Sequence, residues 1–382
     1  MIKNMSPLID VPKQPAIFCG QFYDDICCAG FLGDPLKAEI SVLMLGLSNG
    51  TALPPIAAGS RVTKIVAVDT DETSITRSKG NKARLPPQVK YTAVISGAEQ
   101  YLDAAEEKYD VIIVDLYTEH GYASVVFDSV FHRLLKSRLN TGGHLVFNGF
   151  GVPMNLEPFQ GATPQAWLAQ CLSQSWENIH YLPHRRNATF IIGEKIYPSS
   201  IVHATDALCE SDQLFMDIMQ LRLSHLIPID THHFIDHQPP LDFEAIDRET
   251  TKRWQGLLPK LSRFLPPTLR LRKTSDLLLL LDDPITSRML QTRLLADTSS
   301  CRTTIALLIA GEVNFSTRDV SWLPNWLVDT IEKSNSLCPH DWLDGLLPYT
   351  YGVVIHGHEI DAAEINGFRR IVEKLNKIDR TN

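Results

Sequence analysis

The stretch Ser41–Glu72, SVLMLGLSNGTALPPIAAGSRVTKIVAVDTDE, constrains the fold most, because it reads in one run as strand, glycine turn, helix, strand and acid. Ser41–Leu47 is a short apolar segment that suits a strand buried on both faces. It passes at once into Gly46, Ser48, Asn49 and Gly50. The glycines allow the backbone to turn sharply and approach a ligand, and Thr51 can open a helix whose free N–H groups point at that ligand. Lys64–Asp69 reads as a second strand ending in a carboxylate, 19 residues after Gly50. Nucleotide-binding units place an acid there against ribose hydroxyls. Many strand-to-helix turns carry two glycines and bind nothing, so this stretch alone leaves ligand binding open.

The alternation continues. Lys90–Ile95 reads as a third strand and Ala98–Glu107 as a helix; Tyr109–Asp115, YDVIIVD, is a run of β-branched residues that suits a buried parallel strand. Ligands of open α/β sheets sit beyond the carboxyl ends of the strands, so Asp115 and the following Leu116–Gly121 loop are expected to line a cleft. Asp115 is the first catalytic candidate: a desolvated carboxylate there can hold an ammonium or take its proton. The alternative is a strand-end aspartate that caps the next helix. Ser124–Arg138 has the apolar spacing of one helix, Asn140–Gly143 reads as a break, and His144–Asn148 as a fifth strand ending in polar Asn148. After a helix over Gln165–Trp176, the segments Trp176–Leu182 and Ala188–Glu194 are spaced as a hairpin. A mostly parallel sheet that closes in an antiparallel hairpin is a distinguishing pattern.

The segment Ala16–Lys37 can form a short helix, with Tyr23, Asp24 and Asp25 together near its start. It is expected to abut the glycine turn, or else to present a surface tyrosine and a charged helix start. A chain of 382 residues, 44% hydrophobic, can bury a large core and suggests two domains or one with a large extension. The net charge of −8 argues against a phosphate-tracking nucleic-acid binder and favours small or cationic substrates. No signal peptide and no apolar run of about 20 residues is read, so a cytoplasmic protein without a membrane partner is expected. The seven cysteines are scattered, with no CxxC spacing, and read as buried free thiols.

The residues from Phe18 to Glu194 resemble the class I S-adenosylmethionine-dependent transferases, and within them the spermidine-synthase-like branch. The resemblance rests on VLMLGLSNGT, VAVDTDE, SGAEQYL, YDVIIVDLYTEHG, GGHLVFN and the closing hairpin. It implies a Rossmann-like α/β domain over residues 41–197 with S-adenosylmethionine as cofactor. Gly46, Ser48 and Gly50 would approach its methionine part, Asp69 would hold the ribose, and Asn49, Thr70, Asp115 and Leu116 would lie beside them. Tyr23 stands close to where aminopropyl-transferring members carry an active-site tyrosine. With Tyr23, Asp25, Tyr117, Glu119 and Asn148 are the expected acceptor-binding residues. The chain also departs from the pattern. No N-terminal β-domain is read ahead of the core. Thr118 stands where the second acid of the strand-four loop belongs, with Glu119 one position later, which argues against putrescine as acceptor. Gly97-Ala98-Glu99 replaces the usual GDA, so adenine would meet Glu99 or backbone.

Residues 1–40 are therefore expected to be a leader and helix covering the cofactor site, and residues 198–382 a mainly helical domain that shapes the acceptor pocket, lids it or forms a homodimer interface. Asp206–Leu226 has the spacing of an amphipathic helix. His232, His233, His237 and the His356–Glu359 HGHE segment suggest metal only weakly, and no metal is expected. The activity expected first is methyl transfer to a small-molecule acceptor, with Asp115 and Tyr23 as base or anchor. The alternative is transfer of an aminopropyl or aminocarboxypropyl arm, or its cyclisation. A different class of reading is a non-catalytic cofactor fold that mediates protein association.

Overall fold

The computed structural model describes residues 25–150, 163–183 and 187–193, together with positions 216, 219, 223, 226–229, 238–239, 241–246 and 248. The expected helical domain over 198–382 lies, apart from those positions, outside the described residues, as do Tyr23 and the histidines of both weak metal suggestions.

Among the described residues, eight strands form one sheet: β1 (Ile40–Leu45), β2 (Val62–Asp69), β3 (Lys90–Ile95), β4 (Tyr109–Val114), β5 (Leu139–Phe150), β6 (Ile179–Pro183), β7 (Asn187–Ile192) and the two-residue β8 (Ile227–Pro228). Their order is β3-β2-β1-β4-β5-β7-β6-β8. Strands β1 to β5 pair in parallel, while β7 runs antiparallel to β5 and to β6. This is the Rossmann-like sheet with a closing hairpin that the sequence predicts. The continuous apolar strands have the reason expected of them: all six residues of β4 are buried, and Leu43, Leu45, Ile112 and Val114 join Phe131, Leu135 and Phe147 in one core. Each such side chain contributes about 1.5–3 kcal/mol by leaving water.

Three local expectations are corrected. The Ser124–Arg138 segment is not one helix: Asp128 is extended, and its side chain accepts from Val130 N to cap a new helix, Ser129–Arg138, after a 3-10 turn over Ser124–Phe127. Asn140–Gly143 does not interrupt the chain before the fifth strand. β5 begins at Leu139 and absorbs these residues as a bulge opposite Asp110, with Gly142 left-handed at φ 73°. The helix after the glycine turn is only Leu53–Ala57, five residues with proline in its first turn.

Ahead of β1, Ile26–Phe31 forms a fully buried 3-10 turn packed against the Leu53–Ala57 helix, β4 and β5. At the amino ends of β1 and β4, Asp110 gathers the Lys37 ammonium, the Ser41 N–H and hydroxyl, and the Asn140 amide, which hold its carboxyl below the usual range against the opposing effect of burial. Among the described residues, no helix is long and apolar enough to cross a membrane.

Candidate active site at the strand switch point

The site follows from register. Leu45, the last residue of β1, pairs with Val68 of β2 on one side and Val114 of β4 on the other. Asp69 and Asp115 are the next residues, so the two carboxylates stand on either side of the Gly46 turn. Neighbouring strands lie about 4.8 Å apart, which sets the two backbones about 10 Å from each other. The strand order reverses between β1 and β4, and such a switch point opens the crevice in which open α/β sheets bind ligands.

Gly46 is required by its surroundings. Its φ is 89°, and a Cβ there would lie 2.0 Å from the Asp115 carbonyl oxygen. Its N–H donates to Val68 O at 2.8 Å, and Asp115 N–H donates to Leu45 O at 2.9 Å. The turn is thus closed onto both neighbouring strand ends. Ser48 also adopts a left-handed conformation, φ 49°, which costs a non-glycine residue about 1–2 kcal/mol.

Asp69 anchors this turn. One carboxylate oxygen accepts from Leu47 N–H at 2.8 Å and Ser48 N–H at 3.1 Å, and the other from Asp71 N–H at 2.9 Å. Each oxygen has two acceptor positions, so the Asp69 oxygen bonded to Asp71 retains room for a ribose hydroxyl. Thr70 and Asp71 lead into the next helix, where the Asp71 carboxylate caps the N–H groups of Thr73 and Ser74. Asn81 donates to Asn49 O at 2.9 Å and fixes the far side of the turn. Ser96 N–H donates to Asp69 O at 3.0 Å, which brings Gly97, the cap of the Ala98–Ala104 helix, alongside Asp69; Glu99 in its first turn is exposed.

These hydrogen bonds decide the charge that the crevice suits. A phosphate cradle offers loop N–H groups and a helix N-terminus. Here the N–H groups of Gly46, Leu47, Ser48, Gly50 and Leu53 are committed within the protein, and Pro54 and Pro55 have none to offer. The Leu53–Ala57 helix therefore offers few free donors, while two carboxylates flank the turn. The arrangement favours a cation over a phosphate.

Asp115 is only partly exposed, and burial pushes its carboxyl up to about 6. The Asn148 amide opposes this by donating to Asp115 Oδ1 at 2.7 Å, while the Asp69 charge adds to it. Asn148 is itself buried, and its main-chain carbonyl accepts the Tyr117 hydroxyl at 2.8 Å. Asp115, Asn148 and Tyr117 therefore form one hydrogen-bonded chain, with Leu116 against the Gly46 turn. Glu119 stands apart from it: its side chain is 84% exposed and pairs with His120 at 3.3 Å. Asp25, at the start of the leading 3-10 turn, is buried. Sequence reasoning missed Tyr122 and Phe243, whose rings lie 5.2 and 5.9 Å from that of Tyr117. A cleft of about 430 Å³ lies at the amino end of β5, between Leu139–Gly143 and Ser173–Asn178, away from both carboxylates.

Against known families, the order of motifs finds its match here. Residues 33–162 match the spermine/spermidine synthase domain. A polyamine aminopropyltransferase of Korarchaeum cryptofilum is 28% identical over 131 residues, 33% of this chain and 40% of that one. A probable polyamine aminopropyl transferase of Bifidobacterium longum is 30% identical over 129 residues, 34% and 28% of the two chains. The chain thus spans less than half the length of these relatives. Among solved structures, spermidine synthase from Thermotoga maritima aligns with a TM-score of 0.35 and 16% identity over 47% of this chain and 61% of that one. Human methyltransferase-like protein 13 in complex with SAH aligns at 0.37 and 15%, over 53% and 90%.

Proposed function

We propose that the protein is a transferase that takes an adenosyl sulfonium as donor and moves the donor's amino-bearing three-carbon arm, in preference to its methyl group, onto a small amine. The observation that carries this is the pair Asp69 and Asp115 set by register on either side of a turn in which Gly46, Leu47, Ser48, Gly50 and Leu53 have committed their N–H groups, an arrangement that favours a cation. The spermine/spermidine synthase match over residues 33–162 and the aminopropyltransferase relatives support the arm over the methyl group, which was the first expectation from sequence. An aminopropyl arm is that of S-adenosylmethionine without its carboxylate. S-Adenosylmethionine itself would deliver the aminocarboxypropyl arm.

The sulfonium supplies a good leaving group, so the protein's share of the work is alignment, exclusion of water and removal of one proton. Asp69 would take the ribose hydroxyls, the Gly46–Gly50 turn the region around the sulfur, and Gly97–Glu99 the adenine edge. The acceptor amine would form a C–N bond as the C–S bond breaks, the sulfur leaving with the electron pair as a neutral thioether. Asp115 would accept the proton of the resulting ammonium, oriented by Asn148 with Tyr117 behind it. Tyr23, outside the described residues, remains a proposed acceptor residue by resemblance. Residues 198–382 are proposed to complete the acceptor pocket.

Mass spectrometry of the products tests this. Incubation with S-adenosylmethionine or its decarboxylated form and a panel of small amines should yield methylthioadenosine. S-Adenosylhomocysteine as the coproduct would contradict arm transfer and restore the methyl reading.

A further inference from the structure

The loop after β4 carries Asp115 and Tyr117, and its conformation is held from outside the family-matched domain. It folds as a small hairpin in which Tyr117 bridges Tyr122 and Thr118 N–H donates to Gly121 O at 2.8 Å. Against its tip lies a segment some 120 residues further along the chain. Gly121 bridges Asp242, and Phe243 N–H donates to His120 O at 2.7 Å. The approach is close enough that a Cβ on Gly121, whose φ is 155°, would sit 2.3 Å from the Leu241 carbonyl oxygen. The segment is firm: the Asp242 carboxylate accepts from Ala245 N–H at 2.7 Å, and Ala245 and Ile246 are buried. From it, the Phe243 ring packs on Tyr117, whose hydroxyl holds the Asn148 carbonyl, whose amide in turn holds Asp115.

We infer that residues 241–246 are a positioning element for the acceptor: by pinning the loop tip and packing Phe243 on Tyr117, they set where an amine meets Asp115. The inference rests on the transfer reading above. It gives the second half of the chain a specific task, deciding which acceptors fit, while the donor is held by the turn and Asp69 on the other side.

Two variants release the contact from opposite sides: Phe243→Ala removes the ring, and Gly121→Ala drives the loop from Leu241. Hydrogen exchange of a peptide spanning 115–123 should speed up by about tenfold in both, with amides of β1 and β2 unchanged. The acceptor KM should rise about fivefold while methylthioadenosine affinity stays within about twofold, and Phe243→Tyr, which keeps the ring, should restore both readings. Unchanged exchange at 115–123, or donor affinity and acceptor KM lost in parallel, would overturn the inference. Wild-type protein that does not bind methylthioadenosine would instead contradict the transfer reading, and exchange would then still report whether the pin exists.

Discussion

Asp115→Asn is expected to make the unliganded protein more stable at neutral pH while removing the proposed transfer activity. A carboxyl whose folded-state pKa lies above its unfolded value binds its proton more tightly when folded. The stability it contributes is complete below the unfolded value, near 3.8, and is lost as pH rises through about 6. Each tenfold change in proton affinity is worth about 1.4 kcal/mol, so above pH 6 the ionised Asp115 opposes folding by about 3 kcal/mol. Asparagine cannot ionise, and its amide oxygen can still accept from Asn148, so the substitution removes the charge without opening the hydrogen-bond chain. Urea unfolding followed by tryptophan fluorescence should show a gain approaching about 3 kcal/mol at pH 8 and under about 1 kcal/mol at pH 4. A gain of the same size at both pH values, or no gain at pH 8, would refute the reasoning. That cost is what a site holding an ionised base in a crevice incurs in exchange for function, and a bound ammonium would offset it.

Three further outcomes follow from the same geometry. With Asp115 as base, kcat/KM should rise with pH through about 6 and fall off on the acid side; a flat profile between pH 5 and 7 would remove Asp115 from proton transfer. Asp69→Asn places an NH₂ group where a carboxylate accepts the Leu47, Ser48 and Asp71 N–H groups, and should weaken binding of an adenosyl ligand by about 1–3 kcal/mol, measured by calorimetry; unchanged affinity would refute its role. Ser48→Gly relieves a left-handed conformation and should raise thermal stability by up to about 1 kcal/mol, and a loss would mean that the serine side chain matters more than its backbone.

Much of this site was legible in the sequence because register needs only strand ends. Once KIVAVD and YDVIIVD are strands flanking VLML, Asp69 and Asp115 must stand beside the glycine turn. Asn148 was expected at the end of the fifth strand; β5 continues to Phe150, and Asn148 reaches Asp115 from within it. Side-chain direction was not legible: Glu119, one position from where an acid was expected, turns to solvent, because the hairpin at Tyr117–Tyr122 faces it outward. The commitment of the turn's N–H groups to Asp69 was also hidden, although Pro54 and Pro55 already signalled a helix start poor in donors. Phe243 had no local signal of function, since what places it against Tyr117 is a contact made from a distant part of the chain. The Asp242 carboxylate accepts from Ala245 N–H, a contact that belongs to a helix start and carries no sign of function. Asp128 carried the same kind of signal within Ser124–Arg138, where apolar periodicity outweighed the cap in the reading and not in the fold.

The central claim is that the crevice between Asp69 and Asp115 holds an adenosyl ligand with a cationic centre. Calorimetric titration with S-adenosylmethionine and its decarboxylated form measures this directly. The account predicts saturable heat with a sulfonium, tighter at pH 8 than at pH 5, where the Asp115 carboxyl is largely protonated. No heat with either ligand at millimolar concentration would contradict it.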